Sequence, residues 1–165
     1  MKKPPINSDK NHFENFSFPS NFNIDLDGLE KKYLEFQKQF HPDGSSSADI
    51  EKSISVNESY AVLKNPILRA SHILQLNGID LENDSSAPKP DMATLEEILE
   101  LQEKVAEIKE EEMSDLKKHL ISEIKNLLKQ TASTLENKDF KAAAQILIKA
   151  KYFDKTLRDL KAKRK

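Results

Sequence analysis

From Thr94 onward the chain is nearly free of helix breakers, and its apolar residues recur every three or four positions rather than alternating. Leu116, Leu120, Ile124, Leu127, Leu128, Thr131 and Leu135 form one such stripe. Asn137-Lys138-Asp139 interrupts it as a turn, and Phe140, Ala143, Leu147 and Leu157 take it up again. Upstream, Thr94 and Glu97 have the spacing of a capping box, with Leu95, Ile98, Leu99, Gln102 and Val105 following at helical intervals. A helix with one apolar stripe must bury it against another. Three such helices with short connections predict an up-down-up bundle. No segment reads as a strand, and no internal repeat is present.

The first half is also helical but more heavily punctuated. Leu29, Tyr33, Phe36 and Phe40 fall on one face of a helix predicted from about Asp27 to Phe40, which Pro42 stops. Ser47 is the expected cap of a second helix, about Ala48 to Lys64, with Val56, Tyr60 and Leu63 on its apolar face. The two make a helical hairpin across the loop HPDGSSS. Asn65-Pro66 then suits the start of a third helix through Arg69, Ile73 and Leu74 that ends near Asn77-Gly78. The aromatic segment with Phe13, Phe16 and Phe18 is expected to pack across the hairpin. Between the halves, residues 79–93 combine acids, serines, Pro88 and Pro90, the composition of a linker.

Composition excludes several classes of function. The 165 residues contain no cysteine, which removes disulfides, thiolate nucleophiles and Cys-ligated metals held by this chain alone. His12, His41, His72 and His119 are scattered without metal-ligand spacing, so neither a metal site nor a cofactor is expected. A formal charge of -2 with interspersed signs gives no nucleic-acid footprint; the only dense basic cluster is Lys161, Lys163, Arg164 and Lys165. No apolar run approaches the length of a membrane span, and no export signal is evident, so a cytoplasmic protein is expected.

His41-Pro42-Asp43 stands in the hairpin loop, where proline stiffens the reversal and offers histidine and aspartate to a partner. Without its flanking pattern, turn support would be the simpler reading of this tripeptide. In that context it resembles the signature of J-domains. The stretches NHFENFSFPSNFNID, LEKKYLEFQKQFHPD, NESYAVLKNPILRASHIL and NGIDL, with LEEILELQEKVAEI and KDFKAAAQILIKAKYFDK further on, are similar to HscB-type J-domain co-chaperones from Asn11 to about Lys155. General J-proteins diverge after the hairpin, so NPILRASHIL and NGIDL select this family.

The resemblance implies an all-α chain: an N-terminal J-domain hairpin with flanking short helices over residues 11–78, a linker over 79–93 and a C-terminal three-helix bundle over 94–165, after a disordered segment 1–10. It implies two partners. A DnaK-type chaperone, HscA, would be met by His41, Pro42 and Asp43 with Lys31, Lys32 and Lys38, although a solvated helix face accounts equally well for each lysine. The iron–sulfur scaffold IscU would be met by Leu95, Leu99, Glu100, Glu103 and Tyr152. Periodicity alone favours the opposite fate for the two leucines, as filler of the bundle core. Between Thr94 and Glu112, eight glutamates against two lysines make an acidic surface under either reading.

Gly44 and Glu96 depart from the family pattern, where lysine and an apolar residue respectively are common. The cysteine-free amino terminus fits the bacterial form rather than the eukaryotic one with its metal-binding module. Two other readings remain at this point: a J-protein for another client, and a structural helical protein in which the tripeptide is accidental. An enzyme with His41 as general base fares worst, since no nucleophile or oxyanion pocket accompanies it.

Overall fold

The computed structural model describes residues 11–40, 46–83, 85 and 87–163, and all its regular elements are helices. They are α1 (His12–Asn15), α2 (Leu26–Gln39), α3 (Ser47–Lys64), α4 (Pro66–Leu76), α5 (Met92–Glu107), α6 (Glu110–Glu136) and α7 (Phe140–Lys163). The His41-Pro42-Asp43 tripeptide, Gly44 and residues 1–10 lie outside the described residues. The fold divides into two compact units, with the boundary inside α4 between Ile73 and Leu74.

In the first unit α3 is the platform on which α1 and α2 pack. The stripe read from the sequence is the one used. Leu29 is buried, Tyr33 stacks on Tyr60 with ring centroids 3.9 Å apart, and Phe36 meets Phe16 edge-on and Phe40 face-on. Tyr33 and Gln37 both donate to the Asn57 side-chain oxygen, at 2.9 and 2.7 Å, which ties α2 to α3. Phe13 and Phe16 are fully enclosed, so the aromatic segment does pack on the hairpin.

The seam between α1 and the hairpin is polar. His12 Nδ1 lies 2.7 Å from Ser59 Oγ, Asn15 Nδ2 donates to the same hydroxyl and to Ser55, and the backbone N–H of His12 donates to Nε2 of buried His72. Arg69 closes the elbow between α3 and α4. Its Nη1 donates 2.6 Å to the Leu63 carbonyl and its guanidinium rests 4.7 Å above Phe22. The carbonyl end of α3 supplies the partial negative charge that a buried cation needs.

The second unit is built on a long hairpin. Leu116, Leu120, Ile124, Leu127, Thr131 and Leu135 of α6 meet Ala143, Ala144, Leu147, Ala150, Phe153, Leu157 and Leu160 of α7, and α5 packs chiefly on α7. The turn between them is a Schellman closure: Asp139 N–H reaches the Thr134 carbonyl, Lys138 N–H reaches that of Leu135, and Lys138 takes the left-handed conformation at φ 59°. Gly78 closes α4 in the same way at φ 89°.

Two caps differ from the sequence expectation. Ser46 rather than Ser47 caps α3, and Asp91 rather than Thr94 caps α5. The Asp91 carboxylate accepts the Thr94 N–H at 2.8 Å, a stronger bond than a hydroxyl would give, and the helix therefore starts before the expected box. This bond also holds the Asp91 carboxyl below its usual pKa.

Burial, and secondarily the neighbouring His72, pushes the His12 pKa down to about 4. Between the unfolded value near 6.5 and about 4, the unfolded chain takes up a proton that the folded chain refuses. Stability present above pH 6.5 is therefore lost as pH falls through about 4. We expect the urea midpoint of the first unit's transition to drop between pH 7 and pH 4.5, and to drop less in His12→Tyr, which keeps a ring and a polar tip but does not titrate there.

Candidate functional site

Two surfaces carry those residues singled out from the sequence that lie among the described residues. On α2, Lys31 and Lys38 are exposed and two turns apart, so they share one face. Lys32 is turned away from them. Its ammonium donates 2.7 Å to the Phe16 carbonyl and sits 4.6 Å above the Phe18 ring, where it secures the turn between α1 and α2. The acids Asp27, Glu30 and Glu35 are also exposed on α2 and reduce its positive field. α2 ends at Gln39 with the Phe40 N–H bonded to the Phe36 carbonyl, so the helix stops just before His41.

The second surface lies on α5. Its core-facing stripe is Thr94, Ile98, Leu101, Val105 and Ile108: the first three are buried and the last two half-buried. The regular i, i+4, i+7, i+11, i+14 spacing leaves no room on that face for Leu95, Leu99 or Gln102. Leu95 is 40% exposed and Leu99 58%, which overturns the periodicity-based expectation that they fill the core. Glu100 and Glu103 are exposed beside them, as are Glu96 and Glu107. Fifteen consecutive positions, Thr94 to Ile108, supply both stripes, and apolar spacing alone does not say which of two adjacent stripes turns inward.

Rotation of α5 about its axis is fixed by polar pins from α7. Lys149 pairs with Glu97, and Gln145 donates 2.6 Å to the Lys89 carbonyl just before α5. Lys151 of α7 bonds Glu82 at 2.8 Å, and this hydrogen bond holds the Glu82 carboxyl below its usual pKa. Gln145, Lys149 and Tyr152 fall at i, i+4 and i+7, so Tyr152 rises from the α7 face that holds α5, one turn beyond the Glu97 pin. Its ring is 40% exposed. Glu107, Glu112 and Asp115 continue the acidic character into a groove at the α5–α6 corner, with Lys104 and His119 on its walls.

The arrangement suits protein recognition. Large apolar side chains left in solvent and ringed by carboxylates suit a partner with an apolar centre and a basic rim. Among the described residues no three histidines, aspartates or glutamates are grouped to hold a metal, and no helix is long and apolar enough to cross a membrane. Met92, which the sequence reading left in the linker, is exposed on the first turn of α5; its spacing to Leu95 and Leu99 is the signal that could have found it.

Comparison with known proteins points in one direction. Residues 90–161 match the family model of the HscB C-terminal oligomerisation domain. A co-chaperone protein HscB homolog of Aliivibrio salmonicida is 32% identical over 157 residues, covering 88% of this chain and 91% of the relative. One from Haemophilus ducreyi is 31% identical over 159 residues, with 90% and 92% covered. The crystal structure of human co-chaperone protein HscB superposes with a TM-score of 0.85 at 26% identity, covering 99% of this chain and 85% of that one. Chaperone HscB from Vibrio cholerae gives 0.77 at 26% identity, with 93% and 96% covered.

The exposure of Leu99 has a direct thermodynamic signature. Leu99→Ser should change unfolding free energy by less than about 0.5 kcal/mol, as surface substitutions do. Leu101→Ala, two positions on, should cost about 2–4 kcal/mol because it opens the α5 core stripe. Paired chemical-denaturation curves check both.

Proposed function

The chain belongs to the HscB family of co-chaperones, and from that membership we propose that it stimulates the ATPase of a DnaK-type chaperone, HscA, and brings to it the iron–sulfur scaffold protein IscU. In this reading residues 11–78 act as the J-domain, 79–93 as a linker and 94–165 as the scaffold-binding bundle, in the cytoplasm. The observation that carries it is the outward placement of Leu95 and Leu99 one turn apart among exposed glutamates, an apolar patch with a polar rim of the kind that marks a protein interaction site.

His41, Pro42 and Asp43 engage the chaperone, with Lys31 and Lys38 on one face of α2 adding electrostatic attraction. Lys32 assists by holding the Phe16–Phe18 turn against α2 rather than by offering a free charge. Leu95, Leu99, Glu100, Glu103 and Tyr152 receive the scaffold. The chain performs no chemistry of its own: it binds more tightly to the chaperone conformation in which nucleotide reacts, and thereby shifts the population toward it. An iron–sulfur cluster, where one is present, is cargo on the scaffold.

Steady-state ATP hydrolysis by purified HscA, with and without this chain and IscU, tests the reading. Stimulation should appear with the parent chain, rise further with IscU and vanish in His41→Gln. Equal stimulation by parent and variant would contradict it, and would move the reading to a helical interaction protein in which the tripeptide is accidental.

A further inference from the structure

We propose that Met92 is a further specificity residue of the scaffold-binding face and extends it by one turn toward the start of α5; the proposal rests on the reading above. Met92 is 70% exposed, more than any other large apolar side chain among the described residues. At Met92, Leu95 and Leu99 the spacing is i, i+3, i+7, so at about 100° per residue all three project from one strip of the helix. The Asp91 cap fixes the first turn in helical geometry, which holds Met92 in that strip instead of letting it fray.

The occupant is argued from charge and continuity. From Met92 to Glu103 the helix carries Glu96, Glu97, Glu100 and Glu103 and no lysine or arginine. Glu97 is taken by Lys149, which leaves Glu96, Glu100 and Glu103 along one flank of the apolar strip for basic groups of a partner. One partner that covers Leu95 and Leu99 and meets those carboxylates lies over Met92 as well. Glu96 places a charge at the edge of the strip, and Met92, four residues earlier, adds apolar area beside it. An unbranched thioether adapts to a pocket of irregular shape.

The experiment measures the dissociation constant of the full chain for purified IscU by isothermal titration calorimetry, comparing the parent with Met92→Gln, Met92→Leu, Leu99→Ser and Ile121→Ser. Glutamine matches methionine in length and helix propensity, so the fold is kept, and circular dichroism verifies it. We expect Met92→Gln to weaken binding about fivefold or more, Met92→Leu to stay within about twofold, and Ile121→Ser, an exposed apolar position on α6, to bind like the parent. Parent-like binding by Met92→Gln with weakening in Leu99→Ser would overturn the role of Met92 and leave the scaffold reading standing. Parent-like binding by both variants, or no binding by the parent, would overturn the scaffold reading and the role of Met92 with it.

Discussion

The rotation of α5 about its own axis decides what the second unit presents to solvent. Thr94, Ile98 and Leu101 can reach the core from only one orientation, and Lys149 on Glu97 with Gln145 on the Lys89 carbonyl holds α5 in it from α7. Once those side chains turn inward, helix geometry obliges Leu95 and Leu99 to turn outward. The apolar, acid-flanked face is therefore a consequence of core packing and two polar pins, and it needs no separate device to stay exposed. The α6–α7 hairpin supplies the rigid base, because its stripes pair along the length of both helices.

The first unit solves a different problem. A short hairpin buries little surface, so aromatic stacking between Tyr33 and Tyr60, the shared Asn57 acceptor and the Arg69 bond to the end of α3 add fixed geometry where apolar area is limited. The polar seam of His12, Ser59, Asn15 and His72 docks α1 through hydrogen bonds. That choice makes docking of α1 dependent on neutral imidazole.

Most of the architecture was legible in the sequence because breakers and apolar spacing act locally. The α2 stripe of Leu29, Tyr33, Phe36 and Phe40, the turn at Asn137-Lys138-Asp139 and the α6 stripe appear where periodicity and turn chemistry put them. What periodicity could not resolve was the choice between two adjacent stripes on α5, since Leu95 and Leu99 are as apolar as Ile98 and Leu101. That choice rests on contacts with α7, which are long-range. The same limit explains Lys32, whose role depends on Phe16 and Phe18 in a preceding segment, and Asp91, a better cap than Thr94 in a stretch whose prolines read as linker. Leu95 and Leu99, which periodicity pointed inward, are exposed.

The central claim, that the outward face of α5 with Tyr152 is where the scaffold lands, is most directly tested by amide and methyl NMR of the isotopically labelled full chain titrated with unlabelled IscU. The account predicts shifts concentrated at Leu95, Leu99, Glu100, Glu103 and Tyr152, with Ile98 and Leu101 moved less and α2 unaffected. Shifts confined to α2 and α3, or none at saturating scaffold, would contradict it.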